Sequence, residues 1–434
     1  MGIGAVIGAG IFVLTGTAAA RYAGPAVVLS FAAAGAVCAL VGLCYAELAA
    51  TLPVSGSAYS YTRAALGPFL GWLIGWDLVL EYAAGAATVA VGWSSYVGSL
   101  LNDAGLPLPG ALAASPWEGG LVNLPAAGVV AVLTVLLMAG TRESSAVNNA
   151  MVAVKLSVVV LFVLLGVRHV DPAHWSPFVP PNTGGFGQFG PSGVLRGASV
   201  VFFAFLGFDT VATAAGDAVR PQRDVPIGLL ASLAVCTVLY VLLALVLTGL
   251  VPYTELNVAA PIAKGVDAVG MPWLAGAVKL GALCGLTTVV LVLLFAQARV
   301  FRTMAADGLL PGVFARLDPR RGTPVASQAL IGTVVAVVAA FVPLTVLGEM
   351  VSIGTLAAFA LVCGSVLRLR RIDPGRARPF RTPFVPVVPV GGILLCLVLM
   401  AGLPGATWLR LVVWLLVGLG IYAAYGRRHR TELS

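Results

Sequence analysis

Long apolar stretches separated by short polar or Pro/Gly-rich breaks run along almost the whole chain, and their length decides what they are. A helix needs about 20 consecutive apolar residues to span a bilayer. Stretches of that order lie near residues 2–21, 25–50, 67–101, 121–140, 147–168, 193–215, 226–251, 273–303, 324–343, 346–369, 385–403 and 406–426. The pattern predicts an all-α polytopic membrane protein with twelve transmembrane helices.

Two stretches carry an interruption. The first, GIGAVIGAGIF from Gly2 to Phe12, has glycine at positions 2, 4, 8 and 10, where each costs roughly 1 kcal/mol against alanine in a helix interior. The sixth contains Phe203-Ala204-Phe205-Leu206-Gly207-Phe208-Asp209. Irregular backbone at membrane depth persists only when buried in protein or facing a wet cavity, and in transporters such broken helices build the substrate site. Close helix packing through small residues is the competing reading for Gly4, Gly8 and Gly35. Packing does not, however, call for an aspartate and a phenylalanine cluster beside the second break. The broken spans are five apart and begin on opposite sides of the membrane, as an inverted repeat of five plus five helices produces. The expected organisation is one transmembrane domain over 1–426: a first repeat near 1–168, a second near 193–369, two further helices near 385–426, and a tail at 427–434.

Composition agrees with the pattern. Hydrophobic residues make up 59% of the chain and charged ones 10%, against about 25% charged in soluble domains. With a cytoplasmic N-terminus, eighteen arginines fall on inward loops and the tail, Arg63, Arg142, Arg320, Arg370 and Arg427 among them; outward lie only Arg21, Arg168, Arg196, Lys264, Lys279 and Arg410. That asymmetry orients both termini to the cytoplasm. The net charge of +8 therefore reflects topology and contact with the anionic lipid bilayer, not nucleic acid. Ala18 to Ala20 mimic a signal-cleavage site, but the basic segment that precedes such sites is missing. Cys38, Cys44, Cys236, Cys284, Cys363 and Cys396 fall in apolar stretches without CxxC spacing and read as small core hydrophobes.

Little chemistry remains, and it is concentrated. Lys155 is the one basic residue in mid-span, among Ala153, Val154, Val158 and Val159. A cationic lysine there costs between about 3 and 17 kcal/mol, so it is paired, neutral or cycling, unless it snorkels to an interface. Glu81 and Asp209 are the intramembrane carboxylates of interest, with Asp77 one turn before Glu81 on the same face. Each is equally a proton-relay partner for the lysine or a structural helix-to-helix hydrogen bond. Glu47 reads as an ion-pair partner for a loop arginine. His169, His174 and His429 form no HExxH pair, and with no GxGD motif the parts of an intramembrane enzyme or metal site are missing.

GIGAVIGAGIF, YAELAATLPVSGSAYSY (Tyr45 to Tyr61), GWDLVLEY (Gly75 to Tyr82), NNAMVAVK (Asn148 to Lys155), FFAFLGFDTVATAA (Phe202 to Ala215), RPQRDVPIG (Arg220 to Gly228) and ARVFRTMAADGLLP (Ala298 to Pro311) together resemble the cationic amino acid transporter family. That family belongs to the amino acid, polyamine and organocation superfamily. The resemblance runs in order from the first span through the tenth. It implies a LeuT-like inverted-repeat core with substrate between broken helices 1 and 6, and the residues suit that. Opened backbone at Ile7, Gly8, Ala9 and Gly10 presents N–H groups to a carboxylate at the start of a half-helix. Carbonyls at Phe203, Ala204 and Leu206, beside Phe205, are placed to accept from an α-ammonium.

The resemblance also sets Lys155 beside the first break, where sodium-coupled relatives hold a cation, and burial there favours release of a proton. It sets Leu286, in Gly285-Leu286-Thr287-Thr288, against the substrate side chain. A bulky apolar wall there favours small or medium neutral side chains over arginine and lysine; a lipid-facing leucine is the plain alternative. The chain departs from the family in having Met1 directly before Gly2, which leaves a late start or a short inner half-helix as the two expectations. It also has Gly216-Asp217 where relatives often carry paired acids.

The resulting expectation is a plasma-membrane amino acid permease, an uptake symporter with no cofactor beyond the proton gradient that drives it. Its partners are an amino acid and the bilayer, with no oligomeric state implied. Substrate contacts are expected at Ile7 to Gly10, Phe203 to Leu206 and Leu286, coupling at Lys155, Glu81 and Asp209, and no metal. A channel requires a continuous lined pore, which broken helices argue against. A sensor on a transporter scaffold, a sodium-coupled carrier and a polyamine carrier remain the rivals, the last lacking a carboxylate for the first break.

Overall fold

The computed structural model describes residues 2–52, 57–140, 145–213, 218–258, 260–319 and 321–426. Arg142, Arg320, the Gly216-Asp217 pair and the tail with Arg427, Arg428 and Arg430 lie outside the described residues. Among the described residues the fold is all-helical, with no strand beyond an isolated bridge between Ala113 and Asn123.

The principal helices are α1 (Gly2–Val6), α2 (Val27–Thr51), α3 (Ser57–Leu66), α4 (Pro68–Asp103), α5 (Leu124–Met138), α6 (Ser145–Gly166), α7 (Gly190–Val201), α8 (Pro221–Leu250), α9 (Pro272–Ala306), α10 (Val325–Phe341), α11 (Leu344–Ile372), α12 (Val387–Ala401) and α13 (Gly405–Ile421). Eight helical stretches are long and apolar enough to cross a membrane, and α5, α10 and α12 are shorter apolar helices. Local sequence explains the starts. Pro68 and Pro221 open α4 and α8, where a missing N–H costs nothing. Asn123 caps α5 by accepting from the Ala126 amide at 3.2 Å, and its carboxamide oxygen is itself held by Ser94 Oγ at 2.6 Å.

Helix α4 is the central column: 89% of its apolar window is buried in protein, against 22% for the window that begins at Gly405. It packs along α9 and α11, while α2 packs along α8. Helices associate in a bilayer through close packing and polar contacts, because lipid is as apolar as leucine. The attachment of α13 shows both. Trp76 stacks between Trp72 and Trp414, with ring centroids 6.0 and 4.6 Å away. The indole N–H groups of Trp72, Trp76 and Trp414 donate to the carbonyls of Gly418, Trp414 and Trp76 at 3.0, 2.8 and 3.1 Å.

Candidate substrate and coupling site

Helix α1 stops at Val6, the chain opens at Ile7-Gly8, and a π-helical turn takes over at Gly10–Leu14. The Ile7 amide still donates to Ile3 O at 3.1 Å, but the amides of Ile11 and Phe12 both fall on Gly8 O, at 3.2 Å each. An interrupted ladder leaves carbonyls that must find donors elsewhere. Side chains from three other helices, together with Thr15, supply them. Tyr240 OH on α8 donates to Val6 O at 2.8 Å, Tyr96 OH on α4 to Phe12 O at 2.8 Å, and Thr15 Oγ1 to Gly10 O and Ile11 O at 3.2 and 2.9 Å.

The remaining two carbonyls go to Lys155. Its side chain runs from α6 fully buried, and its Nζ donates to Gly4 O, to Ile7 O at 3.1 Å and to Thr288 Oγ1 on α9 at 3.3 Å. Three oxygens around one ammonium use all its donors. Lys155 therefore does not snorkel. The face of α9 beside it is tight: a Cβ on Gly285 would lie 3.2 Å from Lys155 Cδ, and one on Gly8 would lie 3.1 Å from Val289. Leu286 is fully buried on the same helix, so it does not face lipid.

The second break is built differently. Helix α7 tightens into a 3-10 turn over Phe202–Phe205, Leu206 turns extended, and Gly207 adopts φ +99°, a conformation L side chains avoid. Helix resumes at Thr210–Thr213. Phe203 O accepts the Leu206 amide at 3.0 Å, and Ala204 O accepts Tyr240 OH at 3.0 Å. Two of the three carbonyls expected to be open thus already hold a donor, and a second lone pair is what each has left. Asp209 lies just past the turn, its Oδ2 accepting from Tyr82 OH at 2.7 Å.

The two breaks touch. A Cβ on Gly10 would lie 2.2 Å from Ala204 Cα and 2.6 Å from its amide nitrogen, so the backbones meet where only glycine fits. Tyr240 spans both breaks with one hydroxyl. It was not among the residues read from the sequence, since nothing in the local run around Tyr240 marks it. Ile7 to Gly10 and Phe203 to Leu206 are all buried.

The carboxylates are not brought to the lysine. Glu81 and Asp77 are buried on α4 with no hydrogen-bond partner for any of their four carboxylate oxygens, and Asp209 Oδ1 likewise has none. Among the described residues none of the three forms an ion pair with Lys155. Asp77 faces α11, where a Cβ on Gly354 would lie 3.0 Å from Oδ1. An unpaired ionised carboxylate in such surroundings costs several kcal/mol. Toward the helix ends, Glu47 takes a bidentate pair from Arg370 at 2.9 and 2.7 Å. Its partner is thus the last turn of α11, with Arg378 of the following loop 3.5 Å away. Asp307 after α9 pairs with Arg63 and accepts Tyr59 OH at 2.5 Å. Burial, and then the Asp307 carboxylate, push the Tyr59 phenol well above its ordinary value.

A family model described as amino acid permease matches residues 1–422. The chain belongs to the amino acid permease family. That family lies in the amino acid, polyamine and organocation superfamily. The chain is 46% identical over 431 residues to the methylthioribose transporter of Bacillus subtilis (strain 168), covering 99% of this chain and 92% of that protein. It is 44% identical over 434 residues to the branched-chain amino acid permease BcaP of the same organism, covering 99% and 91%. It is 41% identical over 378 residues to the vacuolar cationic amino acid transporter 4 of Arabidopsis thaliana, covering 86% of this chain and 62% of that one. The relatives are transporters and permeases, so this permease is a multi-pass membrane protein and not an enzyme.

Proposed function

We propose that this permease is a proton-coupled importer of neutral L-amino acids with branched or medium aliphatic side chains, working in the plasma membrane with both termini cytoplasmic. The observation that carries the reading is the contact of the two helix breaks beside a lysine ammonium. An α-amino acid carries the carboxylate and ammonium that backbone amides and carbonyls at such a pair of breaks bind. In this reading Ile7, Gly8, Ala9 and Gly10 bind the carboxylate, Phe203 to Leu206 bind the ammonium, and Leu286 bounds the side chain. Lys155 is the coupling cation, and Glu81 and Asp209 hold protons on its path. The branched-chain relatives support an aliphatic pocket, and the buried bulk of Leu286 argues against an extended cationic side chain.

The architecture we infer with it has twelve crossings in an inverted repeat of five plus five. The first repeat runs near 1–168 and the second near 193–369, with α12 and α13 outside them. Helices overlie every stretch that the hydropathy pattern marks, and the helical run Gly10–Thr51 is long enough, at 42 residues, for two crossings divided at Gly24-Pro25. An ammonium seated where a sodium ion would otherwise compensate the carbonyls supports proton over sodium coupling.

The test is uptake of labelled leucine, isoleucine, valine, arginine and alanine into proteoliposomes under an inward acid gradient without sodium. Accumulation of the aliphatic substrates is expected. Strict sodium dependence would overturn the coupling, binding without uptake would favour a sensor, and preference for arginine would overturn the substrate class. The 46% identical relative motivates a second reading, a thioether sugar as substrate. In that case unlabelled methylthioribose displaces leucine in the same assay.

A further inference from the structure

The connection after α11 carries charge that neither substrate binding nor coupling uses. Between residues 368 and 381 stand Arg368, Arg370, Arg371, Arg376, Arg378 and Arg381, against one acid, Asp373. Topology alone asks only for basic residues near the helix end; here some of them are built into a cleft. Arg370, Pro374, Arg378 and Arg381 line a cavity of about 170 Å³.

Two of these guanidinium groups are fixed in advance. Arg378, only 6% exposed, donates through Nη1 to the carbonyls of Pro374 and Arg376 at 3.2 and 2.9 Å, and through Nη2 to those of Leu369 and Asp373 at 3.3 and 2.6 Å. It caps the end of α11 and folds the loop over itself. Arg370 spends Nε and Nη2 on Glu47 and on Thr382 O, which leaves Nη1 without a partner. Arg381 is exposed and bonds to no other described residue. Three arginines against the single charge of Glu47 leave the cleft cationic, with the fixed Arg378 charge on one wall and the free Arg381 fork on the other. The carbonyls take all four terminal N–H groups of Arg378, which therefore supplies positive charge, and the donors open to the cleft are Arg370 Nη1 and the Arg381 fork; charge and open donors together match the oxygens of a phosphate group.

The surroundings decide which phosphate. Three large apolar side chains stand exposed among the arginines of this segment: Ile372, Phe384 and Val387 are 48%, 82% and 70% exposed. Phe384 and Val387 follow Arg381 into the start of α12, an apolar helix. A soluble anion has no use for that surface, whereas a lipid brings acyl chains attached to its phosphate. We propose that the cleft formed by Arg370, Arg378 and Arg381 is a headgroup site for an anionic phospholipid, whose chains lie along the start of α12. Basic residues at the end of a membrane helix attract anionic lipid in general; the claim here is a single seated headgroup.

The site is tested on the purified full-length protein, independently of transport. Native mass spectrometry and thermal unfolding are run with added phosphatidylglycerol, with phosphatidylcholine of the same acyl chains, and with inorganic phosphate. Phosphatidylglycerol is expected to bind and to raise the unfolding temperature, and the other two are not. Arg381→Ala is expected to weaken phosphatidylglycerol binding about tenfold, the loss of a charge-assisted hydrogen bond, and Arg381→Lys to restore part of it. Arg371→Ala, outside the cleft, is expected to change it by less than about twofold at physiological salt, where an exposed charge away from the phosphate is screened. Arg381 makes no bond that folding would miss, so its variants keep the test readable. Equal losses in Arg371→Ala and Arg381→Ala would reduce the effect to surface charge and overturn the site. Equal binding of phosphatidylcholine would do the same. Stabilisation by inorganic phosphate that disappears in Arg381→Ala would make it a site for a soluble anion and overturn the lipid assignment.

Discussion

The two helix breaks solve one problem with opposite chemistry. At the first, glycines open the helix, and four carbonyls near the opening are met by donors from other helices: Lys155 on Gly4 and Ile7, Tyr240 on Val6, Tyr96 on Phe12. At the second, a 3-10 turn and the left-handed Gly207 open the helix, and the charged group beside it is an acid, Asp209, held by Tyr82. A cation compensates one break and a carboxyl group stands at the other, with Tyr240 bridging them. Backbone that opens in a membrane is thus not permissive by itself. What surrounds it decides whether it holds a fixed shape or exchanges partners, and only at the first break does a titratable side chain bond directly to the opened carbonyls.

Loss of the contact between the breaks is expected to have the largest effect. Gly10→Val drives a side chain into the Ala204 backbone, an overpacking expected to cost about 3 kcal/mol or more and to abolish monodisperse elution of the purified protein. A variant that elutes and melts like the wild type would mean the breaks do not touch. Tyr240→Phe leaves two buried carbonyls short of a donor and is expected to cost about 1–3 kcal/mol. Paired with Lys155→Met in a double-mutant cycle of thermal stability, it should be non-additive by at least about 0.5 kcal/mol. Strict additivity would make the first break two independent supports.

Gly207→Ala probes the other break alone, since alanine at φ +99° carries strain of about 1–3 kcal/mol. It should lower the melting temperature while leaving the Lys155 contacts in place. A smaller effect is expected from Leu286→Ser, which removes a fully buried apolar side chain from α9 and tests the proposed pocket wall. The ratio of arginine to leucine uptake should rise about tenfold or more, and an unchanged ratio would remove Leu286 from the pocket.

The asymmetry between the breaks was half legible in the sequence. Glycine at 2, 4, 8 and 10, and lysine among Ala153, Val154 and Val158, are local signals with large energetic consequences, so they mark the first break and its cation without a structure. Apolar length marked the helices for the same reason. Partners distant in the chain were not legible: Tyr240 lies 234 residues from Val6, and Arg370 lies 323 from Glu47. A tyrosine in an apolar helix carries no mark of the carbonyl it will meet. Residue type alone left Glu81 and Asp209 open between a relay with Lys155 and a structural helix-to-helix hydrogen bond, and Asp209 makes such a bond with Tyr82. In the structure the lysine is satisfied by two backbone oxygens and the Thr288 hydroxyl, none of which brings a countercharge.

The central claim is that the ammonium on the carbonyls of the first break couples proton movement to substrate movement while backbone holds the substrate. Binding and uptake measured on the same purified Lys155→Ala protein, across about pH 5 to 8, test it most directly. Coupling requires the titrating group and binding does not. The account predicts measurable amino acid binding with no accumulation under an acid-outside pulse. A Lys155→Ala protein that still concentrates substrate against its gradient under that pulse would contradict it and reduce Lys155 to a structural stand-in for a bound cation.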